Sequence, residues 1–545
     1  MTATVVDAGD GLPLTVPALL RARAAAAPDR VLLVADEARL TYAEAERRSA
    51  ALARALLAAG AGAGTRVALL YPNDPAFVVA WLAAARIGAV GAPLSTFSTS
   101  AELVGLLRSA DATFLLSAPA YRSQDFVAAV TTGLPDLDLA APPPLLSEAV
   151  PSLRRIVFDA DAQASTIVAD GGWTMAGLLS GADDVAAEVL TAAETFVSPA
   201  DPMVIVHTSG STNEPKGVVH THGALIRHLD NLNQLRRYDE TEILFSNSPF
   251  FWIGGFAYSL LGTLVAGATL VCANAPDAQG VLDVLERERP TMVNGFAASV
   301  AHVAEDPSFS SRDLSSIRRG NLYPIMPPEV RPADPELRHA MLGMTEAGSV
   351  CLASADESEQ PEARRGSFGR PVPGFEVKVV RSEDGTECPP GEVGELCFRG
   401  PFLMEGYLGR ERHETFDADN WFHTGDRVSV DRDGYVYFRG RSSDLIKTAG
   451  ANVSPREVED AIFEVIGRTA HVVGLDDETR GQVVAALVRA PAGSVDADDL
   501  RTRLRTVLSA YKVPRRVLVV PDDEVPMLSS GKLDQRAVKE LFGAP

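Results

Sequence analysis

A chain of 545 residues has room for about three or four folding units, and 46% hydrophobic against 22% charged content can fill substantial cores. The formal net charge of −22 argues against nucleic acid or an anionic membrane as a partner. It also means that a polyanionic cofactor needs a local cluster of Lys and Arg, with Mg2+, to offset the long-range field. Cys272, Cys351, Cys388 and Cys397 form no CxxC pair, so a reducing, cytoplasmic setting is expected rather than a disulfide framework.

In chain order, residues 1–10 lack the basic start and apolar core of a signal peptide. Residues 16–26, 42–59, 76–87 and 101–109 read as helices, and 31–34, 67–71 and 113–117 as short buried strands. That alternation predicts a mostly parallel sheet with helices on its faces. Residues 140–145 and 170–172 read as surface loops. A helix over 221–235 follows, and from Phe245 to Pro276 there is no Asp, Glu, Lys or Arg. The Ser, Asn, Pro and Gly within that span predict a buried helix over 256–265 and a strand over 268–273, with no transmembrane segment. A helix over 281–289 and a strand over 291–294 lead to the end of a second α/β unit near Glu346.

From Gly366 the texture changes to β-patterned runs at 376–380, 394–399 and 434–438. Helices over 455–466 and 496–508, with strands over 470–474, 482–489 and 516–520, then read as a small α+β domain. The expected organisation is α/β: a large N-terminal domain over 1–440, followed by a small α+β C-terminal domain over 441–545. The large domain is divided into α/β subdomains of about 15–200 and 201–346 and a β-rich subdomain of about 366–440.

The chemistry concentrates in Thr208-Ser-Gly-Ser-Thr-Asn-Glu-Pro-Lys-Gly217, entered from the apolar run Met203-Val-Ile-Val206. Hydroxyls, backbone N–H groups and one lysine suit phosphate; Gly210 lets the backbone approach an anion, and Pro215 stiffens the turn that aims Lys216. The pattern is not Walker A, because no Gly-Lys-Ser/Thr follows at the required spacing. A flexible linker would not be flanked by buried strands.

With Leu342-Gly-Met-Thr-Glu346, Trp421-Phe-His-Thr-Gly-Asp426, Gly440-Arg-Ser-Ser-Asp-Leu-Ile-Lys447, Gly450, Ser454-Pro-Arg-Glu-Val-Glu459 and Pro526-Met-Leu-Ser-Ser-Gly-Lys532, that stretch resembles the adenylate-forming superfamily in motif, order and spacing. The resemblance implies an ATP-dependent carboxylate–CoA ligase that forms acyl-AMP and then acyl-CoA. It implies that Thr208, Ser209, Gly210, Ser211, Thr212 and Lys216 hold the β- and γ-phosphates, and that Thr345 and Glu346 serve the α-phosphate and Mg2+. Lys532 would bridge carboxylate and α-phosphate, Asp426 the ribose hydroxyls with Arg441 beside it, and Lys447 and Gly450 the thioester-forming step. Gly320 falls where the family has a glycine-led segment beside adenine. Trp252, Phe256 and Gly343 are candidates for the acyl pocket, with core packing the alternative for the two aromatics. His207, His220, His222 and His228 complete no familiar ligand set and read as structural or supporting residues.

Three positions depart from the family pattern. Leu342 replaces an aromatic expected beside adenine, Trp252 stands where many relatives have His, and Ser443 occupies a hinge position commonly Asp or Lys. The resemblance implies a small carboxylic acid, a fatty acid or a related one, with ATP, Mg2+ and coenzyme A as ligands, and it admits a carrier protein as acyl acceptor and a homodimer as assembly. An acyl-AMP ligase loading a carrier is one alternative reading. A non-catalytic acyl- or nucleotide-binding protein is another, and Lys532 and Glu346 count against it.

Overall fold

The computed structural model describes residues 11–159, 173–208, 215–441, 446–448, 451–477, 480–508, 512–528 and 533–543, with backbone alone at 298, 299, 447, 451 and 452. The chain forms two compact units: Met1–Arg365 with Pro371–Glu376 and Arg399–Asn420, and Gly366–Arg370 with Val377–Phe398 and Trp421–Pro545.

Among the described residues, the first unit is built mainly on two large sheets. One runs Arg319–Gly320, Met292–Asn294, Ile243–Ser246, Thr269–Cys272, Val31–Ala35, Ala38–Thr41, parallel throughout except for the closing hairpin. The other runs Gly406–Tyr407, Lys216–Thr221, Pro202–Thr208, Val90–Pro93, Arg66–Leu70, Phe114–Ser117, Arg155–Phe158, with two antiparallel pairings first and parallel ones after. The parallel strands are almost continuously apolar and buried, as strands covered on both faces must be.

Helix Tyr42–Ala58 starts where Thr41 and Glu44 form a capping box, and Pro75–Arg86 starts at Asp74, whose carboxylate accepts from the Phe77 N–H. Trp81 on the second helix is wholly buried. Arg86 beside it is 2% exposed and paired with Glu46 and Glu194, so its charge is not left alone in the core.

The sheets do not respect the expected division at residue 200. Val31–Ala35 and Ala38–Thr41 join the sheet built from residues 243–320, while Pro202–Thr208 and Lys216–Thr221 join the sheet built from residues 66–158. Strand adjacency is a non-local property, so spacing along the chain carried no signal for this exchange.

A second correction concerns residues 256–265, where a plain helix is expected. Gly254–Leu261 is a π-helix that passes into the α-helical turn Gly262–Ala266. Gly255 allows the tight entry, since a Cβ there would stand 2.0 Å from the Pro249 carbonyl oxygen. The Ser259 hydroxyl bonds the Ser246 hydroxyl at 2.8 Å and the Gly254 carbonyl at 3.1 Å, which ties the widened turn to the end of a sheet strand. Among the described residues no helix is long and apolar enough to cross a membrane.

The second unit carries antiparallel strands Val393–Arg399, Phe422–Val430 and Val436–Arg441 and a further sheet built around Ala470–Asp477, Gly481–Arg489 and Arg516–Val520. Helix Pro455–Ile466 packs Val458 and Ile462 into its core; the helix expected to Leu508 ends at Leu504 and continues as turn.

Candidate active site

Thr208 and Lys216 are Cα partners on adjacent antiparallel strands, so the hydroxyl-rich stretch is the closing loop of a hairpin. Ser209, Gly210, Ser211 and Thr212 lie outside the described residues. Gly217 sits against the neighbouring strand, where a Cβ would come 2.9 Å from the Ile205 side chain. The following helix begins only at His222, where Thr221 Oγ1 accepts from the Ala224 N–H at 3.3 Å.

Three separate segments meet at Glu346. The Tyr407 hydroxyl donates to Glu346 Oε1 at 2.8 Å, and Lys216 Nζ lies 5.1 Å from the centre of the Tyr407 ring. Burial, then the Glu346 charge, pushes the Tyr407 hydroxyl well above its ordinary range, so it remains a donor. The Glu346 carbonyl accepts from the Met404 N–H at 2.9 Å. One residue earlier, the Thr345 carbonyl lies 2.6 Å from His220 Nε2. Burial holds His220 down at about 4, so the ring is neutral near pH 7 and its contact with a carbonyl assigns the proton to Nε2. Gly348, at φ +73°, closes the turn. Thr345 and Glu346 are thus clamped between strand Lys216–Thr221 and the segment around Tyr407. Sequence reasoning missed both clamps: Tyr407 is 61 residues and His220 125 residues from its partner.

In the second unit, Asp426 and Arg441 are directly opposed across antiparallel strands. The Arg441 Nε donates to Asp426 Oδ1 at 2.7 Å; the aspartate is 1% exposed and the arginine side chain 58%. The expected adjacency of these two residues is present. Lys447 lies on strand Ile446–Thr448, while Gly450, Lys532 and Ser443 fall outside the described residues.

Gly320 ends an edge strand at φ +134°, and a Cβ there would stand 1.9 Å from the Val293 carbonyl oxygen, so only glycine fits. It lies at the carboxyl ends of parallel strands, the side on which open α/β sheets bind ligands. Asn321 bonds both the N–H and the carbonyl of Gly295 at 3.0 Å, tying two of those strand ends together. Beyond them, half-buried Trp252 makes edge contacts with Phe251 at 5.4 Å, Phe296 at 5.3 Å and Phe97 at 6.4 Å. Phe256 differs: it is wholly buried and edge-on to Trp81 at 5.1 Å, so it is core packing rather than pocket wall. Gly343 is exposed on the short strand Leu342–Met344.

The four histidines near the hairpin behave as interior residues. Burial lowers His207, His220 and His222 to about 4 and His228 to about 3. His222 Nδ1 accepts from the Val16 N–H, and the His228 ring stacks on Phe402 at 5.1 Å. Among the described residues they form no group that could hold a metal.

The family model described as AMP-binding enzyme matches residues 20–408, and that of the AMP-binding enzyme C-terminal domain matches residues 457–532. A feruloyl-CoA synthase of Amycolatopsis sp is 34% identical over 92% of this chain and 94% of its own length. A mitochondrial medium-chain acyl-CoA ligase of Mus musculus is 28% identical over 96% of this chain and 87% of its own. Among solved structures, a Mycobacterium tuberculosis fatty acyl CoA synthetase matches with a TM-score of 0.70 at 25% identity, over 97% of this chain and 98% of that one. The chain belongs to the AMP-binding enzyme family, and within it is an AMP-forming acid–thiol ligase of the acyl-CoA synthetase class.

Proposed function

We propose that the chain activates a planar aromatic carboxylic acid, with Thr208, Lys216, Thr345, Glu346, Asp426 and Lys532 as its adenylation residues. The observation that carries the residue assignment is the clamp on Glu346 beside Lys216. A neutral hydroxyl donor orients one oxygen of this carboxylate, and its other oxygen is the kind of ligand a hard cation takes, so the donor set fits Mg2+. Bound there, Mg2+ would neutralise phosphate charge.

A carboxylic acid is ionised at neutral pH and attacks the α-phosphate without a general base, expelling pyrophosphate; charge neutralisation and in-line placement are what it needs. Lys532 supplies the cation between carboxylate and α-phosphate. Thr208, Lys216 and the loop residues Ser209, Gly210, Ser211 and Thr212 hold the departing phosphates. Asp426 accepts from the ribose hydroxyls, steadied by Arg441, and Gly320 borders the adenine. In the second step the thiol of coenzyme A attacks the acyl carbon and AMP leaves, with Lys447 and Gly450 as contacts and Ser443 as the pivot between steps. A thiol of pKa about 8.5 needs placement more than a strong base.

The aromatic acid is supported by two things: half-buried Trp252 set edge-on to exposed Phe296, and the similarity to a feruloyl-CoA synthase. Acid-dependent AMP release with coenzyme A, compared between hydroxycinnamates and straight-chain acids of medium length, tests it. Hydroxycinnamates are expected to have the higher kcat/KM, and Trp252→Ala to shift preference toward bulkier acids with little change in KM for ATP. Preference for straight-chain acids, or an unchanged acid profile with a lowered melting temperature, overturns the pocket assignment. A carrier protein as acceptor is the rival for the second step, separated by whether coenzyme A alone releases AMP. A homodimer would show as twice the chain mass of 57.8 kDa by light scattering. A cytoplasmic setting is supported by the four cysteines, all thiols in the structure.

A further inference from the structure

Away from the adenylation residues, two strands of the second unit bring together a carboxylate, a thiol and an imidazole. We propose that Glu395, Cys397 and His423 form a binding site for a borderline-soft divalent cation, Zn2+ above all, that fixes the bulge carrying Asp426.

Cys397 and His423 are Cα partners across the antiparallel pair, and Glu395 lies two residues before Cys397 on the same face. Between Glu395 and Cys397 the register slips, because the opposite strand carries extra residues from Thr424 to Asp426. The bulge turns the three side chains toward one point. His423 Nδ1 lies 3.4 Å from Cys397 Sγ and 3.0 Å from Glu395 Oε2, and one donor atom from each residue falls within 4.8 Å of the other two. Bonds of about 2.3 Å to sulfur and about 2.0–2.2 Å to nitrogen and oxygen put tetrahedral zinc ligands about 3.3–3.6 Å apart, close to the two spacings from His423 already present.

A hydrogen-bond triad is the plainer reading: Nδ1 donates its proton to the Glu395 carboxylate, and the Cys397 thiol has the Glu395 carbonyl oxygen as a distant acceptor at 3.9 Å. A cation satisfies all three ligands at once. On binding, the S–H bond breaks, its proton passes to solvent and its electron pair forms the metal–sulfur bond. His423 gives the Nδ1 lone pair and keeps its proton on Nε2. Cys397 is wholly buried, whereas the His423 and Glu395 side chains are 41% and 21% exposed, so the fourth position opens to water. The thiolate and imidazole suit zinc and not Mg2+, which separates this site from Thr345 and Glu346. Glu395 Oε1 accepts from the Gly425 N–H at 3.0 Å, so a cation on Oε2 pins the bulge from both ends next to Asp426. This link to Asp426 rests on its reading as the ribose ligand; metal binding itself does not.

Chelator-stripped full-length protein is titrated with Zn2+ by calorimetry and with Co2+ by absorption. The expected result is one Zn2+ per chain, a thiolate-to-cobalt charge-transfer band, a higher melting temperature with metal, and slower amide exchange over 423–426. Cys397→Ala should abolish the band while keeping a cooperative thermal unfolding transition, and Cys351→Ala should keep the band. Glu395→Gln can still accept from Gly425 and should weaken Zn2+ at least about 10-fold. No stoichiometric Zn2+, a band that survives Cys397→Ala, or unchanged affinity in Glu395→Gln overturns the proposal. If Cys397→Ala does not fold, the wild-type stoichiometry and the Glu395→Gln affinity decide it. Metal binding without slower exchange at 423–426 overturns the link to Asp426 alone.

Discussion

In its proposed role Glu346 must present a carboxylate oxygen where phosphate and metal arrive, and one hydroxyl sets that orientation. Tyr407→Phe removes the donor on Oε1 and keeps the ring near Lys216. A hydrogen bond to a charged group contributes about 1.5–3 kcal/mol, so adenylation should slow by about 10- to 100-fold and recover in part at raised Mg2+. A variant that adenylates at the parental rate, measured by pyrophosphate exchange against Mg2+ concentration, contradicts the clamp. The Asp426–Arg441 pair was legible in the sequence because motif order had already placed those residues together. Tyr407 was not, because nothing local to Gly406 and Tyr407 announces that their strand edges the phosphate hairpin. Phe256 stayed open between pocket wall and core for a related reason: an apolar aromatic near a site looks the same in sequence whether it lines a pocket or fills a core.

Most strands and helices were legible because buried parallel strands and capped helices write their periodicity locally, and the helix at Pro455–Ile466 and the strand at Arg516–Val520 fall where expected. The π-helix was hidden because glycine spacing does not state which carbonyl it will approach. At Gly255 that approach is so close that Gly255→Ala must displace the Pro249 backbone. Thermal unfolding should then show a loss of about 1–3 kcal/mol, and an unshifted melting temperature contradicts the packing described.

The hairpin and its following helix also set an acid limit. Their buried histidines hold protons only below about 4, whereas in an unfolded chain they take them up near 6.5. Between those values the unfolded chain binds more protons, so stability falls as pH falls through that window. Asp74 opposes this. Burial raises it to about 6 from 3.8, so the folded state takes up its proton first and gains stability as pH falls. At about 1.4 kcal/mol per pKa unit for each group, four histidines outweigh one aspartate. Calorimetric melting temperatures should drop steeply from pH 6.5 to 4, and a flat profile contradicts the burial of those rings.

At the scale of the whole molecule, the family and its reaction were legible because charged and hydroxyl motifs recur in fixed order. The division of sheets was not, since strand partners are chosen across hundreds of residues. The reaction makes one demand that a binding protein would not meet. In the proposed mechanism Lys532 is needed only while charge moves between carboxylate and α-phosphate, whereas Lys447 serves the thiol step. The direct measurement is a pair of half-reactions on Lys532→Ala: acid-dependent ATP–pyrophosphate exchange, and thioester formation from supplied acyl-AMP and coenzyme A. The account expects the first to fall by about 10²–10³ and the second to stay near the parental rate, with the unmodified chain active in both. Equal loss in both halves, or no acid-dependent exchange in the unmodified chain, would contradict it.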